Sequence, residues 1–330
     1  MINRFISTCN RCAVAVFLLF GLVFPSIAQT NFPNKPVKLI VSFPPGGFAD
    51  LVGRSVAQAL SQLWGQPVVV DNKPGGAGIL ATELAAKANP DGYTLYLATD
   101  GPFVINPYLY KSLPYHPIND FIPTALVAYT PLVLIVNPEK ISATNFRDWV
   151  NEGRNPNKPM DYGSGGAGGP HHLGMEALRI MTSMNLNHIP YKGGAPALQD
   201  LLSGQIGTMF SAVSSSLPHA KSGKVRILAS GGFKRSAIIP DVPTIAESGF
   251  PGYEAGAWAG IVAPKATPQP IVDKIELDVL RISRDQQFIL KLTSLGADSY
   301  VANSSEFRDL IRRDQIRYSK LIQDLNIKAD

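Results

Sequence analysis

Cysteine is almost missing from this 330-residue chain: Cys9 and Cys12 stand near its start and none follows. The rest of the chain therefore has no disulfide, no cysteine metal site and no thiol nucleophile. Long apolar runs are equally scarce. The one such stretch, Ala13 to Phe24, falls short of the ~20 residues that a membrane-spanning helix needs. No run of Lys and Arg is interleaved with aromatics, which argues against a nucleic-acid partner. Charged residues make up 17% of the chain and hydrophobic ones 45%, a balance that excludes a disordered chain, a collagen-like repeat and a coiled coil. The 29 glycines and 27 prolines are scattered as single turn signals, not gathered into a low-complexity tract.

What is present begins with an export pattern. Arg4 and Arg11 precede the apolar run, and Pro25-Ser26-Ile27-Ala28 follows it with small residues where a signal peptidase needs them. Residues 1–28 are expected to be removed by cleavage near Ala28, leaving a soluble periplasmic protein. The formal net charge of +5 is mild and compatible with small anionic ligands.

Strand-like and helix-like stretches then alternate. Val37 to Phe43 is β-rich and ends in Pro44-Pro45-Gly46-Gly47, after which apolar residues recur at helical spacing from Leu51 to Leu63. Strands are predicted at 67–70 and 93–98, with a helix at 79–88. The pattern restarts with a long strand from Leu126 to Val136, broken by Thr130-Pro131. Helices at 146–152, 171–184 and 195–202 alternate with strands at 160–163, 187–190, 206–210 and 225–230. Trp258 to Ala263 reads as a second long crossing strand, and helices at 271–282 and 305–325 close the chain. In the last helix Phe307, Leu310, Ile311, Tyr318, Leu321, Ile322 and Leu325 share one face, with Asp314 the polar intrusion. The pattern predicts an α/β fold of two lobes, each a mostly parallel sheet with flanking helices, and a ligand cleft between them. One lobe comprises residues 29–127 and 256–330 and the other residues 128–255, joined near Tyr129–Leu132 and Gly256–Gly260.

In open parallel sheets ligands sit beyond the carboxyl ends of the strands, where helix N-termini also point. Three strand-to-helix loops qualify. In the first, Ser42 to Asp50, two glycines let the backbone approach a ligand and the next helix offers free N–H groups. Phe43, Gly46, Gly47, Phe48 and Ala49 are its candidate contacts, while Asp50 fits a helix-start role. The second, Asp161 to Leu173, holds five glycines and Ser164 ahead of Pro170. It suits an anion cradle with Ser164, Gly165, Ala167, Gly168 and His172 as contacts. The third, His188 to Pro196, offers Tyr191 and Gly193, with Lys192 open to reading as an exposed turn residue. Thr99 and Asp100, just after the third predicted strand, and Ser211 complete the candidate set.

Other chemistries fit less well. The second loop lacks the Lys-Ser/Thr of a phosphate-binding P-loop, and Tyr162 stands where a nucleophile elbow requires glycine. His171 and His172 are neighbours that point about 100° apart on a helix, a poor grip on one metal ion. Gly76-Ala-Gly78-Ile-Leu-Ala81 matches a dinucleotide fingerprint but is separated from its strand. No cofactor or metal is expected. A periplasmic hydrolase centred on Ser164, with His188 and Asp161, can be assembled and stands as the alternative.

The quoted loops resemble those of the Bug-type receptors of tripartite tricarboxylate transporters. The likeness rests on Pro36-Val-Lys-Leu-Ile-Val with Phe43-Pro-Pro-Gly-Gly-x-x-Asp50, Asn72-Lys-Pro-Gly-Gly, Pro90-Asp-Gly-Tyr-Thr-Leu, Asn106-Pro-x-Leu-Tyr, Tyr162-Gly-Ser, His188-x-Pro-Tyr-Lys-Gly and Trp258-x-Gly. The resemblance implies a non-enzymatic, two-lobed periplasmic binding protein, acting as a monomer. It implies closure over a small organic carboxylate, contacted by loops 43–50 and 164–169, and delivery to a membrane permease pair. Many relatives carry acids where this chain has Gly207 and Ser211. That difference predicts an amine-free ligand, aromatic or dicarboxylic, with Phe43, Phe48 and Tyr191 supplying flat apolar contact.

Overall fold

The computed structural model describes residues 32–327; the predicted export signal and its cleavage point lie outside the described residues. Three parallel strands, β1 (Val37–Val41), β2 (Val68–Asn72) and β3 (Thr94–Thr99), lie in the order β2-β1-β3. Helices α1 (Phe48–Trp64) and α2 (Ile79–Ala86) connect them. In α1, Val52, Val56 and Leu60 recur four apart and are fully buried, so the packing stripe sets the helix against the sheet. Gly65 stops it in the left-handed conformation (φ 65°), with its N–H donating to Ser61 O. After β3 comes a wide helical turn (Gly101–Ile105), then the short α3 (Asn106–Leu109).

The second half repeats the scheme. Helix α4 (Phe146–Gly153) leads into β5 (Met160–Ser164), α5 (Pro170–Thr182), β6 (Leu186–Pro190), α6 (Gly194–Leu202) and β7 (Thr208–Ala212). The strand order is β6-β5-β7, all parallel, with the first strand of the group again central.

One 16-residue strand, β4 (Phe121–Val136), ties the halves together. It does not break at Thr130-Pro131, as the sequence suggests, but changes partners there. Phe121 to Pro131 pairs antiparallel with β9 (Gly256–Pro264), while Leu132 to Val136 pairs with β7 and with β8 (Arg226–Ser230). A proline lacks the N–H of a ladder bond and is tolerated where pairing changes hands. Leu132 resumes bonding at once, donating to Ala255 O. Hydrogen bonding is thus continuous through ten strands, two parallel groups joined by antiparallel crossings.

The remaining elements are α7 (Val213–Lys221), α8 (Gln269–Ser283), α9 (Gln286–Ser294), β10 (Asp298–Ala302) and α10 (Ser304–Asp324). Sequence reading misses the one-turn α3 as well as α7, α9 and β10. Pro218 and a run of serines hide α7, and the other three are short. The core of the first half gathers Tyr96, Phe103, Phe121, Trp258 and Phe307 as touching rings. Phe307, Ile311, Tyr318 and Ile322 of α10 pack on it, and Asp314 in the same seam accepts from Trp258 Nε1 (3.1 Å) and pairs with Arg317 (3.6 Å) and Arg313 (3.4 Å). The second half has a core on each face of its strands. No helix among the described residues is long and apolar enough to cross a membrane.

Candidate functional site

The carboxyl ends of β1, β3, β5 and β6 open on one cavity of about 1000 Å³. Its wall takes Phe43 to Pro45 and Gly47 to Ala49 from the first loop, Thr99 to Gly101 from the end of β3, Ala167 to Pro170 from the second loop, and Gly194 and Ala195 from the third. Three helices therefore begin at the cavity. Each has glycine at its N-cap (Gly47, Gly169, Gly193), and none has a side-chain cap. Serine or aspartate at those caps would consume the first-turn N–H groups; glycine leaves them for a ligand. The helix dipoles favour an anion at the same place. The wall contains no Lys, Arg or His.

The first loop is held by a carboxylate. Asp50, 2% exposed, accepts from Gly46 N–H (2.9 Å), Arg54 Nε (2.9 Å) and Asn72 Nδ2 (2.9 Å), and Asn72 Nδ2 also donates to Phe43 O (2.9 Å). Burial pushes the Asp50 carboxyl up, but its hydrogen bonds and Arg54 outweigh this and hold it below its ordinary value. Asp50 is a structural acid of the helix start, as its position suggests.

The second loop is held by neutral groups. Gly166 N–H donates to Ser164 Oγ (3.1 Å) and Gly168 N–H to His172 Nδ1 (2.9 Å). Ser164 Oγ and His188 Nε2 share a hydrogen bond (2.7 Å). His188 stacks between Tyr162 (5.0 Å) and His172 (4.0 Å). Burial pushes His171 and His172 down to about 4, with His188 adding to the effect on His172, and lowers His188 as well. The stack is thus neutral, and His172 can accept from the loop.

This geometry does not assemble the alternative hydrolase. Ser164 is fully buried, and Asp161 is exposed with Asn187 Nδ2 on its Oδ1 (2.7 Å), away from His188. Among the described residues no cluster of three or more potential ligands is placed for a metal ion.

Of the candidate contacts, Phe43, Gly47, Phe48, Ala49, Thr99, Asp100, Ala167 and Gly168 line the cavity. Gly46, Ser164, Gly165 and His172 are not among its lining residues; Gly46, Ser164 and His172 take part in the hydrogen bonds that shape the loops, and Gly165 packs closely on Gly193 and Gly194. Tyr191 donates its hydroxyl to Asp200 (2.7 Å), and Gly193 caps α6. Ser211, 4% exposed on β7, pairs in register with Val133, while a Cβ at Gly207 would meet Ile141 at 3.0 Å. Neither position lines the cavity, so the argument about an amine partner passes to Asp100, the one acid on the wall. Burial, with Asp314 nearby, pushes Asp100 up to about 7, against the pull of Gly101 N–H and Arg317. Sequence reasoning misses Ile105, Asn106, Leu109, Tyr110 and Ala257. Four of these fall in or beside the Asn106-Pro-x-Leu-Tyr stretch, a signal that was visible.

Comparison with known proteins gives a consistent result. A family model described as "Tripartite tricarboxylate transporter family receptor" matches residues 52–327. Protein BugT of Bordetella pertussis is 30% identical over 96% of this chain and 97% of its own. The structure of Rhodopseudomonas palustris Rpa4515 with adipate superposes with a TM-score of 0.77 at 31% identity, covering 90% of this chain and 99% of that one. MatC from the same organism, with bound malate, gives 0.72 at 29%, covering 88% and 100%.

Proposed function

The chain belongs to the tripartite tricarboxylate transporter receptor family, and from that premise we propose that it captures a small organic carboxylate in the cavity at the strand ends. It is a solute-binding receptor with the periplasmic binding protein fold. The observation that carries the ligand class is the convergence of three uncapped helix N-termini on a wall without Lys, Arg or His. Such a wall binds an anion through backbone N–H groups. Phe43, Phe48, Ile105 and Leu109 leave space for an apolar body. Adipate and malate in the related structures are ligands of this kind.

In the same reading, the chain is exported by cleavage near Ala28 and acts as a monomer in the periplasm. Residues 29–127 with 256–330 close against residues 128–255 over the ligand, and the loaded form docks on a membrane permease pair. Calorimetry and thermal shift with adipate, malate, glutarate, glutamate and benzoate test the ligand class. At least one carboxylate is expected to bind, and at 100 times its Kd it would stabilise the protein by about 2.7 kcal/mol. Absence of binding across the panel, or ester turnover abolished by Ser164→Ala, overturns the reading. An unchanged radius of gyration on ligand addition counts against closure.

A further inference from the structure

Among the described residues, seven buried side-chain atoms have no hydrogen-bond partner in the protein, and two of them are neighbours on the cavity wall: Thr99 Oγ1 and Asp100 Oδ2. Thr99 is 3% and Asp100 5% exposed. A buried polar atom without a partner is costly, so a pair of them at a ligand site marks a place where the ligand supplies the partner. The rest of the wall satisfies an anion through backbone N–H groups at the loops. The Thr99–Asp100 pair is a second, separate polar contact, with Phe48, Ile105 and Leu109 among the apolar residues of the same wall.

Asp100 can meet an anion only in its neutral form. The charged groups acting on it from behind are Asp314 and Arg317 on α10, with Tyr318 beside them, and the N–H of Gly101. Asp314 is already paired with Arg317, Arg313 and Trp258 Nε1. From the cavity side the facing loops bring no cation, and Tyr110 is the one other ionisable side chain on the wall. An ionised Asp100 would repel a bound carboxylate in a desolvated space.

Resting on the receptor reading above, we propose that Asp100, as a neutral acid, donates its O–H to one carboxylate of a dicarboxylate ligand with an apolar spacer, that Thr99 Oγ1 hydrogen bonds beside it, and that binding takes up a proton from solvent. The other carboxylate sits on the uncapped N-termini of α1, α5 and α6. The only bond change is a proton transfer: the buffer acid loses its proton, an O–H bond forms on Asp100, and that O–H donates to the ligand oxygen. Since Asp100 sits at about 7 in the free protein, uptake is small in mild acid and approaches one proton per ligand in mild alkali. An ammonium-bearing ligand would do the reverse, holding Asp100 ionised and releasing a proton.

The test is calorimetry of adipate binding in phosphate and in Tris, whose ionisation enthalpies differ, at pH 6 and pH 8. The expected result is close to one proton taken up per adipate at pH 8, little at pH 6, and affinity falling about tenfold per pH unit above Asp100's own value. Asp100→Asn should abolish uptake and flatten the pH dependence; Thr99→Val should weaken binding about tenfold with uptake unchanged. Adipate binding to the wild-type protein with no uptake at pH 8, or uptake that survives Asp100→Asn, overturns the inference without touching the receptor reading. So does tighter binding of glutamate than glutarate with proton release. Adipate that fails to bind at pH 6 while another carboxylate binds overturns it too. Failure of the whole panel removes the receptor reading and this inference together.

Discussion

The loops after β1 and β5 serve the same cavity with opposite engineering. Both end a central parallel strand, both run through glycines, and both open a helix whose cap is Gly. The first is exposed from Pro44 to Gly47 and held by one ionised carboxylate, Asp50, with a half-exposed Arg54 on it. The second is less exposed, with Ser164 and Gly168 buried and only Ala167 fully exposed, and is held by a hydroxyl and a neutral imidazole. An ionised anchor keeps its loop down to the low pH at which carboxylates protonate. A neutral imidazole anchor is lost at milder acidity, because a protonated His172 has no lone pair left for Gly168.

The largest expected effect is on the first anchor. Asp50→Ala strands three donors at once: Gly46 N–H, Arg54 and Asn72. The loss should be about 3 kcal/mol by chemical denaturation, since a buried, charge-assisted acceptor disappears. His172→Ala removes one neutral acceptor and one ring from the stack, so about 2 kcal/mol is expected. Equal losses, or a larger loss for His172, would erase the contrast between the anchors.

The loops also differ in the space around their glycines. A Cβ at Gly47 would meet only Pro44 O at 3.9 Å, whereas one at Gly165 would meet Gly194 N at 3.1 Å, Gly193 C at 3.3 Å and His171 Nδ1 at 3.3 Å. Gly165→Ala should therefore cost about 1–2 kcal/mol of stability by overpacking the start of α6. Gly47→Ala should change stability by about 0.5 kcal/mol, through the poorer cap, while weakening ligand binding because its methyl group stands at the cavity wall. Unfolding curves and calorimetry on both variants separate the two effects. A stable Gly165→Ala protein with normal binding would show that the second loop is not packed as tightly as described.

How far the sequence reaches can be judged on the same loops. Their position was legible, because β1 and β5 are short apolar runs that stop at glycine and proline, and a strand-to-helix boundary at the carboxyl end of a parallel strand has a known geometry. The long strands β4 and β9 were legible as crossings. The continuity of β4 through Pro131 was not, since it depends on a change of partner that only the tertiary arrangement supplies. Ser164 and His172 are candidates from the sequence, and in the structure they hold the loop from outside the cavity lining. Their spacing along the chain does not reveal that the hydroxyl and the imidazole turn back onto Gly166 and Gly168. The resemblance singles out Gly207 and Ser211, but neither lines the cavity: Ser211 pairs in register with Val133, and a Cβ at Gly207 would meet Ile141. Asp100 shows the converse. Its sequence position made it a candidate, but nothing local announces an unpartnered Oδ2 beside Asp314, more than two hundred residues away in the chain.

The smallest effect, and the sharpest test of the two anchors, is the shape of the stability curve between pH 5 and 8. His171 and His172 titrate at about 4 in the folded chain and near 6.5 when unfolded, so between those values the unfolded chain binds more protons and stability rises with pH. Each such group adds about 1.4 kcal/mol per pH unit within that window, and its contribution is complete above 6.5. Asp100 acts in the other direction: raised to about 7 from an unfolded 3.8, it contributes stability that is present in acid and lost as pH rises through 7. Below 6.5 the two imidazoles, with His188 lowered in the same direction, outweigh Asp100 and the raised Glu254, and above it the imidazoles no longer contribute slope. The wild-type protein should therefore be most stable near pH 6.5 and lose about 1 kcal/mol on acidification to 5.5. Asp50, held below its ordinary value, adds no slope in this range. Asp100→Asn should turn the maximum into a plateau above 6.5 and steepen the acid side, while His172→Gln should make the acid side shallower. Denaturant midpoints of the three proteins across this range give the answer. An acid side that His172→Gln leaves unchanged would mean that the second loop does not depend on a neutral imidazole, and the difference between the two anchors would be one of packing alone.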